Sequence, residues 1–343
     1  MDNGRRTAHV SGGRIRRLAL EPAVLATFVG LVLLTTLVIL LGHNGLPFQR
    51  PRLAGASFAY QMVSQFVQLA FALGLIGVIY LVTRRRVVPN IVDRAPARSR
   101  AGVETVGMVA YALVAQGVGF ALGKLLGLHP ISLHLPGTVY GLYGTLPVSE
   151  VYLWVVYNFA VYAAVPYAYF RNRGYTNEQL NLRSNNRRQD LLLIVIVLAL
   201  ESAFELSTNT ALFHLSATQL VLGAPLSFGI YFLGTVVPIM IFIYSILLPR
   251  YLRLTGSVAA TVVLGGLSYA GMHLFDSWGV YDSFQNAVLS LSFVTLQYFG
   301  PGTVKSVLTL RTANAWVHVW AYHAFAPHVT LDTVNVVRIF GIR

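Results

Sequence analysis

About nine apolar runs follow one another along this chain of 343 residues, separated by short gaps. A helix needs roughly 20 consecutive apolar residues to cross a bilayer. The first run, from Pro22 to Leu41, has that length, whereas the apolar core of a signal peptide is shorter. Charged residues make up only 11% of the chain, against roughly 25% in soluble domains. The sequence therefore predicts an all-α, polytopic membrane helical bundle.

The basic residues predict how this bundle lies in the membrane. The predicted spans are 22–42, 59–83, 104–127, 149–170, 190–209, 225–248, 256–275, 285–309 and 313–326. The loops 128–148, 210–224 and 276–284 contain no Lys or Arg, whereas the alternate gaps do, and Lys305 and Arg311 fall on the inner side. The exceptions are Arg50 and Arg52 in the first outer loop and Arg338 in the tail. By the positive-inside rule, the N-terminus is cytoplasmic and the C-terminus outside.

Four segments are predicted along the chain. They are a basic head with two accessory spans and a linker at 1–103, a further span with its outer loop at 104–149, a core at 150–327, and a C-terminal tail at 328–343. The linker is the Arg- and Pro-rich stretch 84–103. Gly300-Pro301-Gly302 is expected to kink or break the eighth span. Gly265-Gly266 is expected to allow close helix packing.

Composition excludes several classes of function. The chain has no cysteine, which excludes disulfides, thiolate metal sites and cysteine nucleophiles. Its net charge of +13 comes from arginines between the apolar runs, a distribution that indicates anionic lipid and topology rather than nucleic acid. A zinc site needs three or four converging ligands, and the spacing of the histidines and carboxylates does not require one. Neither a metal nor a cofactor is predicted.

Ionisable side chains inside the predicted spans are the first candidates for a site, because such groups are costly in lipid. Glu201 and Glu205 are four residues apart on one face of the fifth span. His273 and His323 end two later spans, and Asp276 is placed to fix the tautomer of His273. The alternative interpretation is structural: two buried or outer-edge carboxylates, one of them paired with an imidazole, and interior histidines bonded to a backbone carbonyl or a serine.

Four stretches between about 150 and 327 resemble the CPBP family of CAAX-protease and bacteriocin-processing membrane proteins. They are the span exit with Gly174-Tyr175 and Leu180-Asn-Leu182, the proline-bracketed helix Pro238 to Leu252, the Phe-x-x-x-His-like Tyr269-Ala-Gly-Met-His273, and Leu310 to Trp316 followed by His323. The resemblance implies a CPBP-like helical core and a glutamate/histidine endopeptidase site. It also implies that His273 and His323 share a pocket, with Tyr269 in support.

The first motif of that family is degenerate in this chain. When Glu-Glu-x-x-x-Arg is anchored on the two prolines of the second stretch, the glutamates fall on Met240 and Ile241. The aromatic residue before the arginine falls on Tyr244, and the arginine falls on Ser245. Methionine and isoleucine cannot act as a general base, a role that contributes on the order of 10²–10⁴-fold to a rate.

Three functional hypotheses follow. The leading one is a catalytically degenerate CPBP homologue that binds a membrane partner or a hydrophobic peptide in the former protease cavity. The second is an active intramembrane endopeptidase with a relocated carboxylate, Glu201 or Glu205. The third is a small-molecule or proton transporter that uses these carboxylates and the histidines as a relay. In each case the expected location is the plasma membrane of a prokaryote, with the lipid bilayer as a partner.

Overall fold

The computed structural model describes residues 20–48, 55–136 and 146–343. Within those ranges all regular structure is helical and there is no strand. The basic head before residue 20, the outer-loop arginines Arg50 and Arg52, and positions 137–145 of the loop 128–148 lie outside the described residues.

We number the helices in chain order. They are α1 Pro22–Gly42, α2 Phe58–Thr83, α3 Arg98–Leu125, α4 Val148–Asn172, α5 Arg187–Thr208, α6 Ala217–Thr255, α7 Val258–Gly271, α8 Phe284–Thr312, α9 Ala315–His318 and α10 Thr333–Ile339. Helix α9 continues as the π-turn Val319–His323. Among the described residues, α1 to α6 are long and apolar enough to cross a membrane, and α7 is a shorter apolar helix. These features confirm a membrane-embedded helical bundle, whereas the predicted count of nine spans is not confirmed.

Local sequence signals explain where several of these helices begin and end. A serine hydroxyl accepts a backbone N–H at the first turn of four helices, which satisfies one of the donors left open there. Gln219 completes a capping box at the start of α6, and Gly256 ends the same helix with a positive φ of 66°, a conformation that glycine adopts without strain. The capping serines are Ser57, Ser216, Ser257 and Ser283.

The surface of the bundle is apolar where that of a soluble protein is polar. Phe28 on α1 is 67% exposed and Leu81 on α2 is 65% exposed, and similar side chains cover the outer faces of α3 to α6. Polar and charged side chains lie inside instead, including Glu201 and Lys305. Because a contiguous apolar surface of this extent has to be covered, the lipid bilayer is its natural surrounding.

Helix α8 runs unbroken from Phe284 to Thr312, so the break considered at Gly300-Pro301-Gly302 does not occur. Nearby hydroxyls satisfy the backbone there: Thr303 Oγ1 donates to the Gly300 carbonyl at 2.6 Å, and Tyr244 Oη donates to the Gly302 carbonyl at 3.2 Å. The same segment lets α7 approach closely, because a Cβ on Gly302 would lie 2.9 Å from Gly266 Cα. The close packing predicted for the Gly265-Gly266 pair is confirmed.

The Arg-rich stretch 84–103 is docked against the core. Arg86 Nη1 lies 2.6 Å from Asp190 Oδ1 on α5. Arg94 Nη1 donates to Asn181 Oδ1 and to the Ala313 carbonyl, both at 2.7 Å. Burial lowers the pKa of Arg94, although a guanidinium remains charged at neutral pH. These arginines therefore connect the front helices to the later part of the chain.

Candidate functional site

A small polar cavity lies inside the bundle, between α2, α5, α7, α8 and the segment that follows α9. Its free volume is about 30 Å³, which is room for about two water molecules. The residues around it come from distant parts of the sequence. They are Gln68, His134, Glu201, Glu205, Tyr269, Gln297, Tyr298, Pro301, Lys305, Tyr322, His323, Pro327 and His328.

Helix α5 supplies the two carboxylates. Glu201 and Glu205 are one turn apart, so they share a helix face, and both line the cavity at 2% and 3% exposure. This burial excludes an outer-edge position for the pair and fits two buried structural carboxylates as well as a reactive site. The structure thus brings both candidate glutamates to the cavity that His323 also lines.

Helix α8 supplies a buried cation on the cavity wall. Lys305 is 1% exposed, and its Nζ lies 3.5 Å from the centroid of the Tyr269 ring. Lys305 also interacts electrostatically with Glu201. The positive-inside pattern counted this lysine with the basic residues of the inner side, near the end of the predicted span 285–309, and Lys305 lies inside α8, which continues to Thr312. A count of basic residues cannot separate a loop from an interior position near a helix end.

Two histidines stand on the cavity wall after α9. The ring centroids of His323 and His328 are 5.2 Å apart. Both ring nitrogens of His323, and Nε2 of His328, are buried without a hydrogen-bond partner among the described residues. Asp332 Oδ2 lies 3.0 Å from His328 Nδ1 and orients that ring. Sequence reasoning left His328 in the tail, although His-x-x-x-Asp at helical spacing was the available signal.

His273 lies beside the cavity rather than on its lining. Its Nδ1 is 3.1 Å from Asp276 Oδ2, which is the contact predicted from their spacing. The rings of His273 and His323 lie on the same aromatic neighbour, with centroids 4.8 Å and 5.9 Å from that of Tyr269. His134 Nδ1 reaches the same Asp276 oxygen at 3.0 Å. Sequence reasoning missed His134, because it belongs to a predicted outer loop.

The degenerate first motif lies elsewhere in the bundle. Met240, Ile241, Tyr244 and Ser245 belong to the π-helical segment Met240–Leu247 of α6, and all are buried. None of the four lines the cavity. Met240, Ile241 and Tyr244 pack in the main apolar cluster instead, so the side chains at the two glutamate positions are not part of the cavity lining.

Five imidazoles form a row through the interior. Neighbouring ring centroids are separated by 4.4 Å, 6.3 Å, 5.2 Å and 6.1 Å, in the order His273, His134, His328, His323 and His318. His318 is fully buried against Tyr244, not at a lipid interface. Rows of titratable groups inside a membrane protein are typical of proton relays.

This chain matches no family model, no curated protein and no solved structure. The resemblance to CPBP proteins therefore stands on the quoted stretches alone. The function has to be inferred from the chemistry of the cavity itself.

Proposed function

We propose that the protein is an intramembrane endopeptidase of the glutamate/histidine type, with Glu201 or Glu205 as the general base. One observation carries the proposal: both carboxylates, the imidazole of His323 and a water-sized space share one buried cavity. This is the relocated-carboxylate hypothesis. In this hypothesis the general base is a glutamate of α5, because the two glutamate positions of the first CPBP-like motif, on α6, hold apolar side chains.

The proposed reaction is the addition of water to a peptide carbonyl. A carboxylate in apolar surroundings is a competent base near neutral pH. It takes a proton from water while the water oxygen bonds to the carbonyl carbon. The ammonium of Lys305 and the imidazole of His323 are placed to stabilise the oxyanion that develops. The carboxylic acid then returns the proton to the leaving amine as the C–N bond breaks.

The substrate class follows from the surroundings of the cavity. A groove of about 1270 Å³ runs between α1, α2, α7 and α8, lined largely by aliphatic and aromatic side chains. Phe299 and Thr303 of α8 line this groove, and their neighbours Tyr298 and Pro301 line the cavity. We therefore propose that the substrate is a hydrophobic, membrane-embedded peptide segment. It would approach the cavity through this groove, because α8 lines both.

We propose further that the protein is a divergent member of the CPBP family and that it lies in the plasma membrane of a prokaryote. In this orientation the N-terminus is cytoplasmic and the C-terminus is outside. A reporter enzyme fused into 210–216, the part of the predicted loop 210–224 that precedes α6, tests the orientation, because that loop has no Lys or Arg and is expected to face outward. Cytoplasmic activity of that fusion would contradict it. The control is the same reporter fused within 172–187, a basic segment expected to face inward.

The catalytic proposal is tested with purified protein and a panel of hydrophobic membrane peptides. Replacing the glutamate that acts as base by glutamine is expected to lower cleavage by about 10²–10⁴-fold, while thermal unfolding in detergent changes little. Glu178→Gln is the matched control, because Glu178 is exposed in the turn after α4. Cleavage that persists in Glu201→Gln, Glu205→Gln and His323→Gln alike would contradict the proposal.

A binding protein without hydrolysis is the second candidate, favoured by the apolar side chains at Met240 and Ile241. In that case no peptide is cut, and a membrane partner co-purifies with the parent but not with His323→Gln.

The row of five imidazoles favours a proton relay as a third candidate. Its test is proton flux into proteoliposomes, which His328→Gln would reduce while Glu178→Gln would not.

A further inference from the structure

Three potential metal ligands converge beside the cavity: His134, His273 and Asp276. Each offers one donor atom, and these atoms lie within 4.8 Å of one another in a fully buried setting. His134 precedes α4, in the connection from α3, whereas His273 and Asp276 are in the connection from α7 to α8. The hydroxyl of Tyr298, on α8, adds a fourth donor.

The separations between these donor atoms match the coordination shell of a small cation. Asp276 Oδ2 is 3.0 Å from His134 Nδ1, 3.1 Å from His273 Nδ1 and 3.1 Å from Tyr298 Oη. His134 Nδ1 is also 3.1 Å from Tyr298 Oη. Zinc holds nitrogen and oxygen ligands at about 2.0–2.1 Å in a tetrahedron, so neighbouring ligand atoms are about 3.3 Å apart. The four separations given above are within a few tenths of an ångström of this distance between ligand atoms.

The carboxylate at this position accepts hydrogen bonds from Tyr298 Oη and the His134 backbone N–H, and a cation between its imidazole neighbours would compensate its charge. Asp276 is 2% exposed, and a buried carboxylate is costly unless it is paired or bound to metal. Buried Asp190, in contrast, has an arginine partner, Arg86. The basic groups within 4.0 Å of Asp276, over the part of the chain that the structure describes, are the two imidazoles. A divalent cation would compensate the carboxylate and leave both imidazoles neutral, as metal ligation requires.

We propose that the protein binds one divalent transition-metal ion, with zinc as the best fit, through His134, His273 and Asp276. The fourth position belongs to Tyr298 or to a water molecule. Such a site would fasten the segment before α4 to the connection between α7 and α8, where Asp276 Oδ1 also accepts the His134 backbone N–H at 3.3 Å. The inference goes beyond the proposed peptidase, because Glu201, Glu205 and His323 are not among the ligands.

The test uses the full-length protein in detergent, stripped of metal with a chelator and then titrated with Co²⁺. Tetrahedral Co²⁺ absorbs strongly in the visible range, so binding is read from the spectrum. We expect one Co²⁺ per chain, displaced by one Zn²⁺. His273→Gln and Asp276→Asn should weaken Co²⁺ binding by more than about 100-fold, since even the loss of a group behind the ligands costs 10–100-fold.

Two further variants keep the result interpretable. His214→Gln removes an exposed histidine and should bind Co²⁺ like the parent. Tyr298→Phe keeps the aromatic ring, so this variant is expected to fold even if the other variants do not. It should still bind Co²⁺, and its visible absorption spectrum should shift if the hydroxyl is a ligand. A parent that takes up no stoichiometric Co²⁺ would overturn the proposal, and so would equal binding by His273→Gln and His214→Gln. Peptide cleavage by metal-free parent would leave the glutamate mechanism intact, so the two proposals fail separately.

Discussion

The segment Met240–Leu247 of α6 and the cavity around Glu201 are both inside the bundle, but their chemistry is opposite. Met240 and Lys305 are each 1% exposed. Around Met240 the neighbours are aliphatic and aromatic side chains. The cavity that Lys305 lines is also lined by two carboxylates, three imidazoles and three tyrosines. Burial alone therefore does not distinguish a packed helix core from a reactive site in this protein.

The difference has a physical origin. In a membrane the lipid is as apolar as a leucine side chain, so burial of apolar surface does not decide which helix faces the interior. Polar groups do, because they are costly in lipid and collect where they find each other. Here α5, α8 and the segment after α9 supply those groups, and α6 supplies packing. The stretch of α6 that resembles a CPBP motif therefore does not predict where the polar cavity forms.

Placing a charge in the apolar segment should have the largest effect. Met240→Glu would bury a carboxylate in the main apolar cluster, and we expect a loss of about 3–5 kcal/mol in unfolding free energy. The measurement is denaturant unfolding in mixed micelles. Met240→Leu, which conserves volume, should cost less than about 1.5 kcal/mol. If Met240→Glu were as stable as Met240→Leu, the segment would have access to water or a cation, and the contrast with the cavity would fail.

The contact between α7 and α8 is the next most sensitive position, because it forms one cavity wall. A Cβ on Gly302 would lie 2.7 Å from Tyr269 Cβ and 2.9 Å from Gly266 Cα, so Gly302→Val overpacks the interface. We expect a loss of about 1–3 kcal/mol in the same unfolding measurement. Gly229→Ala on α6 is the control: nothing lies within 4 Å of its added Cβ, and it should be neutral or slightly stabilising. Equal effects would mean that the helices can separate freely.

Removing the cation from the cavity should have an intermediate effect. Lys305→Met keeps the length of the side chain but loses the attraction to the Tyr269 ring, which is worth about 2 kcal/mol when desolvated. It also removes the positive charge that interacts with Glu201. We expect a loss of about 1–2 kcal/mol. Lys124→Met is the control: at this exposed position of α3 the Nζ lies 4.6 Å from the centroid of the Phe120 ring, and the loss should be no more than about 0.5–1 kcal/mol. If Lys305→Met cost no more than Lys124→Met, burial in the cavity would add nothing to the contribution of the ammonium.

The sequence predicted the membrane bundle, the carboxylate pair and the contact of His273 with Asp276, because each depends on local composition or on spacing within one segment. It did not predict that Lys305, His134 and His328 meet Glu201 and Glu205. These residues come from the inner end of a predicted span, an assumed outer loop and an assumed tail. Their convergence depends on how α8 and the segment after α9 pack against α5, which periodicity within a single helix does not encode.

The smallest effect, with the opposite sign, is expected at Ser245, the position where the family's arginine would fall. Its hydroxyl is fully buried and has no hydrogen-bond partner among the described residues. A buried polar group without a partner is destabilising, so Ser245→Ala should leave stability unchanged or raise it by up to about 1 kcal/mol. Ser306→Ala is the matched control, because Ser306 Oγ donates to the Gly302 carbonyl at 2.8 Å. Loss of this hydrogen bond should lower the unfolding free energy by about 0.5–1.5 kcal/mol. If Ser245→Ala were the more destabilising of the two, a polar partner or a water molecule would have to lie against α6, and the segment would not be dry.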